Sequence, residues 1–119
     1  MGLRKLTKND VEFVLTIEDD DTPLEGAFSS DDPEADRNLV KELKHRLDRG
    51  DVWAWCTVIV TARWKNWRGI ATLGACSYDD EADFKSGGGY YEGMCEDAVE
   101  DLNNRIHSTA ESLKELEVV

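Results

Sequence analysis

The stretch Asp51–Tyr78, DVWAWCTVIVTARWKNWRGIATLGACSY, decides the fold because it predicts two apolar strands joined by a tight turn. Lys65 and Asn66 lie between the two apolar runs and suit a two-residue hairpin turn, since Asn tolerates the positive φ that such turns need. The resulting register gives one face of small and branched residues, which suits close packing by a helix. The pairs on that face are Trp64 with Trp67, Val60 with Ala71, Val58 with Leu73, and Cys56 with Ala75.

The opposite face of the predicted hairpin is apolar as well, although a domain this small should need only one such face. Its pairs are Trp53 with Tyr78, Trp55 with Cys76, Ile59 with Thr72, and Thr61 with Ile70. The same register places Arg63 opposite Arg68, and like charges that face each other destabilise a strand pair. Either a bulge shifts the register, or the two arginines hold an anion or the carboxylate of a partner.

This second face is a candidate binding site. Exposed apolar area of that size usually marks an interface, and Trp, Tyr and Arg dominate binding hot spots. The alternative is that the first strand, the N-terminus or the loop at 23–28 folds over the face and buries it. The residues predicted to form an interface or to hold a ligand are Trp53, Trp55, Arg63, Arg68 and Tyr78.

Three further elements flank the hairpin. The segment 11–18 alternates apolar and polar residues, which predicts a strand. A helix is predicted from Pro33, with Asp32 as its N-cap and Gly50 as its stop. A second helix is predicted over 90–116; at about 40 Å it is longer than a three-stranded sheet needs, so its last third either frays or packs on another subunit. The apolar stripe of the first helix consists of Leu39, Val40, Leu43 and Leu47.

The element order β-α-β-β-α predicts an α+β domain, in which two helices pack on one face of a small antiparallel sheet of three strands. The C-terminal helix is the long one, and the edge of the hairpin that the first strand joins is left open. The length of 119 residues fits a single domain, 1–119. Residues 1–10 and 19–33 are predicted to be flexible, because the first are mainly polar and the second are rich in turn formers and acids.

The net charge is −12, from 26 acidic and 14 basic side chains. Such a surface repels nucleic acid and anionic membranes and attracts a basic protein groove; solubility alone is the competing explanation. No apolar run approaches the roughly 20 residues that span a bilayer, and the N-terminus has no apolar signal core, so we expect a cytoplasmic protein. Three widely spaced cysteines predict reduced, packed thiols.

The sequence offers no recognisable catalytic constellation. His45 and His107 are the only histidines, and no nucleophile motif accompanies them. The cysteine and histidine spacings do not suit zinc, and the acid runs at 19–21 and 79–81 lack the alternating pattern of a calcium loop. The three glycines at 87–89 have no following Lys-Ser/Thr and are interpreted as a flexible entry to the long helix. We therefore predict no catalytic residue, no metal and no cofactor.

The outer side of the long helix presents closely spaced acids on one rigid face, which can imitate a run of phosphates. A solvated helix face is the alternative explanation. The residues predicted to bind a partner are Glu92, Glu96, Asp97, Glu100 and Asp101. The acidic loop at 19–33 contains Leu24 and Phe28 as candidate anchors in an otherwise polar segment.

Two stretches carry a resemblance: RGDVWAWCTVIVTA at Arg49–Ala62, and LGACSYDDEADFKSGGGYYEGM at Leu73–Met94, which runs into AVEDLNNRI. Together they resemble small acidic proteins of unknown function encoded by bacteriophages and prophages, over roughly residues 37–106. This group has no assigned catalytic residues. The resemblance implies a small phage gene product in the cytoplasm of a bacterial host. Proteins of that kind often bind host machinery, including CRISPR and restriction complexes.

The leading hypothesis is a non-enzymatic acidic binding protein that inhibits a host protein in counter-defence, by engaging its basic surface as a nucleic-acid mimic. The face that bears the tryptophans would then form a homodimer or partner interface. The alternative is a module that sequesters a small molecule or a nucleotide at a subunit interface. In that case Trp55 and Tyr78 would stack on a base, while Arg63 and Arg68 would pair with phosphates.

Overall fold

The computed structural model describes residues 3–117, and its elements follow the predicted β-α-β-β-α order with one additional helix. The strands form one antiparallel sheet in the order β1-β2-β3, so the first strand joins the free edge of the hairpin's first strand. The predicted α+β class, with the long C-terminal helix packed against the sheet, is confirmed. The elements are β1 Glu12–Asp19, α1 Pro33–Asp48, β2 Cys56–Trp64, β3 Trp67–Cys76, α2 Glu81–Ser86 and α3 Tyr90–Lys114.

Two compact units can be distinguished in the chain, and we name each after its main helix. The α3 unit comprises Met1–Thr16, Ile59–Thr72 and Gly88–Val119, and the α1 unit comprises Ile17–Val58 and Leu73–Gly87. Each of the three strands contributes residues to both units. The single domain stays a prediction, since this division does not decide it.

The hairpin has the predicted two-residue turn, because β2 ends at Trp64 and β3 begins at Trp67. The turn residue with a positive φ is Lys65, at 54°, although Asn66 was expected to tolerate that conformation. The side of β2 that was predicted to face a helix is buried along the strand. Its residues Val58, Val60 and Ala62 are all 0 % exposed.

The register of β3 changes at the end of the strand that lies away from the turn. Gly74 and Ala75 are both exposed, Cys76 is buried, and the φ of Ala75 is 53°. Broken alternation with a residue in the left-handed region is typical of a β-bulge. The predicted placement of Ala75 opposite Cys56 on the buried face is therefore wrong. This bulge leaves the two arginines near the turn in their original register.

Close backbone contact joins α3 to β3. A Cβ atom on Gly69 would lie 2.1 Å from the carbonyl oxygen of Ala98 and 2.3 Å from the nitrogen of Leu102, so only glycine fits there. Beside it, the Ile70 N–H donates a hydrogen bond of 2.8 Å to Asp101 Oδ2. The helix therefore lies directly on the strand at this point, without intervening side chains.

The segment before β1 is tied to α3 through Asn103. The Leu6 N–H donates to Asn103 Oδ1 at 2.9 Å, and Asn103 Nδ2 donates back to the Leu6 carbonyl at 3.0 Å. Leu6 is buried, and Lys8–Asp10 forms a short 3₁₀ turn. The segment predicted to be flexible at 1–10 thus carries anchoring contacts, and residues 1 and 2 lie outside the described residues.

The core of the α1 unit lies where α1 meets the residues that precede β2. Val52–Ala54 forms a 3₁₀ turn rather than the beginning of a strand. Leu39, which we predicted in the apolar stripe of α1, is 37 % exposed and is not part of this core. The cluster consists of buried Leu24, Leu43, Ala54 and Trp55, against which Phe28, Val40 and Leu47 pack.

The predicted limits of α1 are confirmed. Pro33 is its first residue, Asp32 Oδ1 accepts a hydrogen bond of 3.1 Å from the Ala35 N–H, and Gly50 follows the end of the helix with a φ of 84°. No helix was predicted between the hairpin and the long helix, where the structure has α2. Asp80 caps this short helix by accepting a bond of 2.8 Å from the Asp83 N–H.

Candidate protein-binding surfaces

Two of the five acids predicted to bind a partner on α3 are paired within the α3 unit. Lys8 Nζ lies 3.2 Å from Glu92 Oε2 and 3.2 Å from Glu96 Oε1. The hydrogen bonds to Glu96 and Glu92 raise the pKa of Lys8. Exposed ion pairs of this kind contribute little stability. Both carboxylates therefore stay accessible, but a cation from a partner has to compete with Lys8 for them.

A third predicted acid, Asp101, is engaged in the fold. Its Oδ2 accepts the bond from the Ile70 N–H and a second one of 2.9 Å from Arg105 Nε. Removing a carboxylate that holds a strand to a helix would disturb both elements. Its predicted role in binding is untested, and its geometry is that of a structural residue.

The remaining acids of the set, Asp97 and Glu100, are exposed and make no ion pair with any residue between 3 and 117. Together with Glu96 they lie on the same outward side of α3. Their spacings of one, three and four residues keep all three side chains within half of the helix circumference. The acid surface that α3 offers to a partner is thus reduced from five side chains to four, Glu92, Glu96, Asp97 and Glu100, of which the first two pair with Lys8.

Trp55 does not belong to an exposed apolar face. It is 6 % exposed, its Nε1–H donates a bond of 2.8 Å to the Thr22 carbonyl, and its ring centroid lies 5.9 Å from that of Phe28. Of the two alternatives for this residue, burial under the loop at 23–28 is the one found. The prediction that Trp55 forms an interface or stacks on a ligand is therefore wrong, because no face of the indole is open.

Trp53 and Tyr78 come together as predicted, but α2 adds a third ring to them. The centroids of Trp53 and Tyr78 are 6.5 Å apart, and Phe84 lies 6.0 Å from Trp53 and 5.0 Å from Tyr78. The Tyr78 N–H donates to the Trp53 carbonyl at 3.0 Å. Phe84 is fully buried, so these rings form a small aromatic core rather than a free stacking platform.

Arg63 and Arg68 are both exposed, and neither forms an ion pair or a hydrogen bond through its side chain with residues 3–117. Two long arginine side chains on a surface can point apart into solvent. The repulsion between their charges is then small, and no acid is needed between them. Their predicted role in ligand binding stays a prediction, and their donors are uncommitted.

The main concentration of acid lies in residues 18–36, which we call the acidic segment. It contains nine Asp and Glu residues and no Lys, Arg or His. The α1 unit, to which it belongs, has 16 acidic and 6 basic residues and a net charge of −10. The α3 unit has 10 acidic and 8 basic residues and a net charge of −2. The excess charge of the chain is thus not on the helix that the sequence analysis favoured.

Asp20 fixes the beginning of the acidic segment. Its Oδ2 accepts bonds of 2.8 Å from the Thr57 hydroxyl and 2.7 Å from the Ala75 N–H, and its Oδ1 accepts one of 2.7 Å from the Thr22 N–H. Hydrogen bonds from Thr22, Ala75 and Thr57 hold the pKa of Asp20 far below its ordinary value. The bulge residue Ala75 therefore has its N–H satisfied by a residue from another part of the chain.

The later part of the acidic segment is fixed in the same manner. Asp36 accepts bonds of 2.8 Å from the Ser30 N–H and 2.7 Å from the Ser30 hydroxyl, and the Ser30 side chain lowers the pKa of Asp36. Leu24 anchors the middle of the segment in the α1 core. Five of its exposed acids form no bond with residues 3–117, and these are Glu18, Asp19, Asp21, Asp31 and Glu34.

The described residues 3–117 contain no group of three or more His, Cys, Asp or Glu side chains arranged to hold a metal ion. Cys56, Cys76 and Cys95 are buried, as expected, and no disulfide bond joins them to one another. Burial raises the pKa of Cys56 to about 11. His107 is half-buried rather than a plain surface residue, and its Nε2 has no hydrogen-bond partner within the same range.

Over the described part of the chain, none of the helices combines the length and the apolar character required for crossing a membrane. No protein-family model, no curated protein and no solved structure matches the chain.

Proposed function

We propose that this protein is a non-enzymatic acidic binding protein that occupies a basic surface of another protein. The observation that carries the proposal is the acidic segment, with nine acids and no cation, whose backbone is held by its own carboxylates. Electrostatic complementarity of this kind speeds association and selects basic partners. A surface that is already ordered also loses less conformational entropy when it binds.

The resemblance to small phage proteins supplies the biological part of the proposal. The partner would be a host protein in a bacterial cytoplasm, such as a complex whose basic groove holds nucleic acid, and occupation of that groove would inhibit it. Self-association is part of the same proposal, and we place its contact at the end of α3. There Leu113 and Leu116 are 58 % and 74 % exposed and would supply the apolar part of the contact.

Two matched variants test which acid surface binds. The first neutralises three unbonded acids of the acidic segment, by Asp21→Asn, Asp31→Asn and Glu34→Gln. The second neutralises three accessible acids of α3, by Glu96→Gln, Asp97→Asn and Glu100→Gln. Both variants change the net charge by the same amount, so any difference between them reports position rather than total charge.

Each variant and the wild type serve as bait in a bacterial lysate, and the captured proteins are quantified by mass spectrometry at several salt concentrations. We expect the variant in the acidic segment to lose its partner about tenfold or more, since three complementary charges each contribute of the order of 0.5 kcal/mol or more. The α3 variant should lose less. Polylysine is the control, because it senses total charge and should bind both variants equally.

Capture that neither variant weakens, and that salt does not weaken, would contradict the proposal. Capture weakened only by the α3 variant would move the binding surface back to the helix predicted from the sequence.

A further inference from the structure

A groove of about 650 Å³ lies between the hairpin turn and the C-terminal half of α3, entirely within the α3 unit. It is a shallow depression that is open to solvent, so a ligand would be bound on one side only. It has walls from two elements, whereas a hollow of about 670 Å³ on α1 is lined by that helix alone. The residues of the groove that matter here are Asn66, Trp67, Arg68, Asn104, Arg105 and Ser108.

The two arginines of the groove retain free donors. Arg68 makes no side-chain bond with residues 3–117. Arg105 donates to Asp101 through its Nε alone, and its two Nη groups donate to no residue within that range. Asp101 is itself held by the Ile70 N–H at 2.8 Å, so it fixes the guanidinium of Arg105 beside the groove. A fixed guanidinium with free Nη groups is suited to bidentate contact with phosphate.

The remaining groups suit the other parts of a nucleotide. The half-buried indole of Trp67 offers an aromatic surface on which a base can stack. The amides of Asn66 and Asn104 are unbonded within residues 3–117, and each can donate to and accept from the edge of a base. Cations dominate the hairpin tip, since the run RWKNWR at 63–68 holds three cations and no acid.

We propose that this groove binds a mononucleotide, whose phosphate contacts Arg68 and Arg105 and whose base stacks on Trp67. A small ligand fits the charge better than a nucleic-acid strand does. Repulsion from a protein of net charge −12 grows with every phosphate of a strand, whereas one or two phosphates meet the local cations alone. This proposal is independent of the acidic segment and of its partner.

The test is a calorimetric titration of the full chain with AMP, GMP, CMP and UMP. Adenosine and inorganic phosphate are titrated separately as the two parts of the ligand, and a single-stranded oligonucleotide is titrated as the competing ligand. We expect at least one mononucleotide to bind saturably, and more tightly than adenosine or phosphate alone. No saturable mononucleotide binding, or equal binding of phosphate alone, would overturn the proposal.

Variants connect the binding to the groove. Arg68→Gln and Arg105→Gln should each weaken mononucleotide binding about tenfold, the usual loss for a hydrogen bond to a charged group. Arg49→Gln is the matched control, since Arg49 is an exposed arginine that does not line the groove; it should leave affinity within about twofold. Equal losses of mononucleotide affinity in all three variants would indicate a general attraction of anions to the protein. That result would overturn the groove as the binding site.

Two further results bear on the class of ligand. Arg68→Lys should restore only part of the affinity, because an ammonium group has no fork. The single-stranded oligonucleotide could instead bind far more tightly than any mononucleotide, with the same dependence on Arg68. That result would show that the ligand of the groove is a nucleic-acid strand and would overturn the proposal of a mononucleotide.

Discussion

The α1 unit and the α3 unit use their carboxylates in different ways. In the α3 unit the bonded acids have cations beside them: Asp10 pairs with Arg4, and Asp101 pairs with Arg105. The α1 unit has ion pairs too, Glu25 with Lys44, Asp51 with Arg46 and Glu81 with Lys85. Several further carboxylates there bond to backbone N–H groups and hydroxyls, which carry no charge. These are Asp20, Asp32, Asp36, Asp80 and Asp83.

The difference shows how a protein can keep a large negative charge and still gain structure from it. A carboxylate that pairs with a cation loses its field at a distance, whereas one that bonds to neutral donors keeps it. The α1 unit therefore combines ordered backbone with a net charge of −10, and the α3 unit is close to neutral.

The largest expected effect tests the backbone contact of the α3 unit. Gly69→Ala places a Cβ 2.1 Å from the Ala98 carbonyl oxygen, and neither strand nor helix can yield without losing its contact. We expect a loss of about 3 kcal/mol or more in the free energy of unfolding, measured in urea. Gly93→Ala is the control: its Cβ would meet nothing within 4 Å, so alanine should stabilise α3 by about 0.5–1 kcal/mol. Similar values for both variants would contradict the close approach.

A smaller effect is expected at the side chain that ties the α1 unit together. Asp20→Asn removes the charge that accepts bonds from Thr57, Ala75 and Thr22. We expect a loss of about 1–2 kcal/mol at neutral pH, since hydrogen bonds to charged groups are worth more than neutral ones and partial exposure weakens them. Asp21→Asn, an exposed and unbonded neighbour, is the control and should change stability little.

The same variant has a pH dependence of known sign. The pKa of Asp20 is lower in the folded chain than in the unfolded one, so its contribution is complete above about pH 4 and is lost as the pH falls towards the folded value. Wild type should thus lose more stability than Asp20→Asn between neutral pH and pH 3. The variant should still lose some stability as the pH falls, because Arg4 also lowers the pKa of Asp10 to about 2. Parallel pH profiles would show that Asp20 is not bonded as described.

The smallest expected effect concerns the ion pairs of the α3 unit. Lys8→Met frees Glu92 and Glu96, and stability should stay within the error of a urea titration because exposed pairs contribute little. Capture of the basic partner should then improve slightly if α3 takes part in binding. Unchanged capture would confine the binding to the acidic segment and so sharpen the contrast between the two units.

Local signals in the sequence predicted much of the fold. Asp32 and Pro33 mark the beginning of α1 and Gly50 marks its end, each from a position within two residues of that limit, and the two-residue turn sets the hairpin. The helix α2 was not predicted, because its six residues contain a single buried side chain, Phe84, and are too few to show a periodic apolar stripe.

The candidate sites were harder to predict because their contacts join distant parts of the chain. Asp20 meets Thr57 and Ala75, which lie 37 and 55 residues away, and no local pattern announces such contacts. Trp55 looked exposed because strand alternation placed it on an outer face, whereas Leu24 and Phe28 cover it. One signal for the groove is present in the sequence, since the run 63–68 combines three cations with two tryptophans.

The three buried thiols give the two units separate reporters of opening. Cys56 and Cys76 belong to the α1 unit and Cys95 belongs to the α3 unit. An alkylating reagent reaches a buried thiol only when the surrounding structure opens, so the labelling rate at each cysteine measures the free energy of that opening. Peptide mapping would therefore separate a local excursion in one half of the chain from a global one, without any engineered probe.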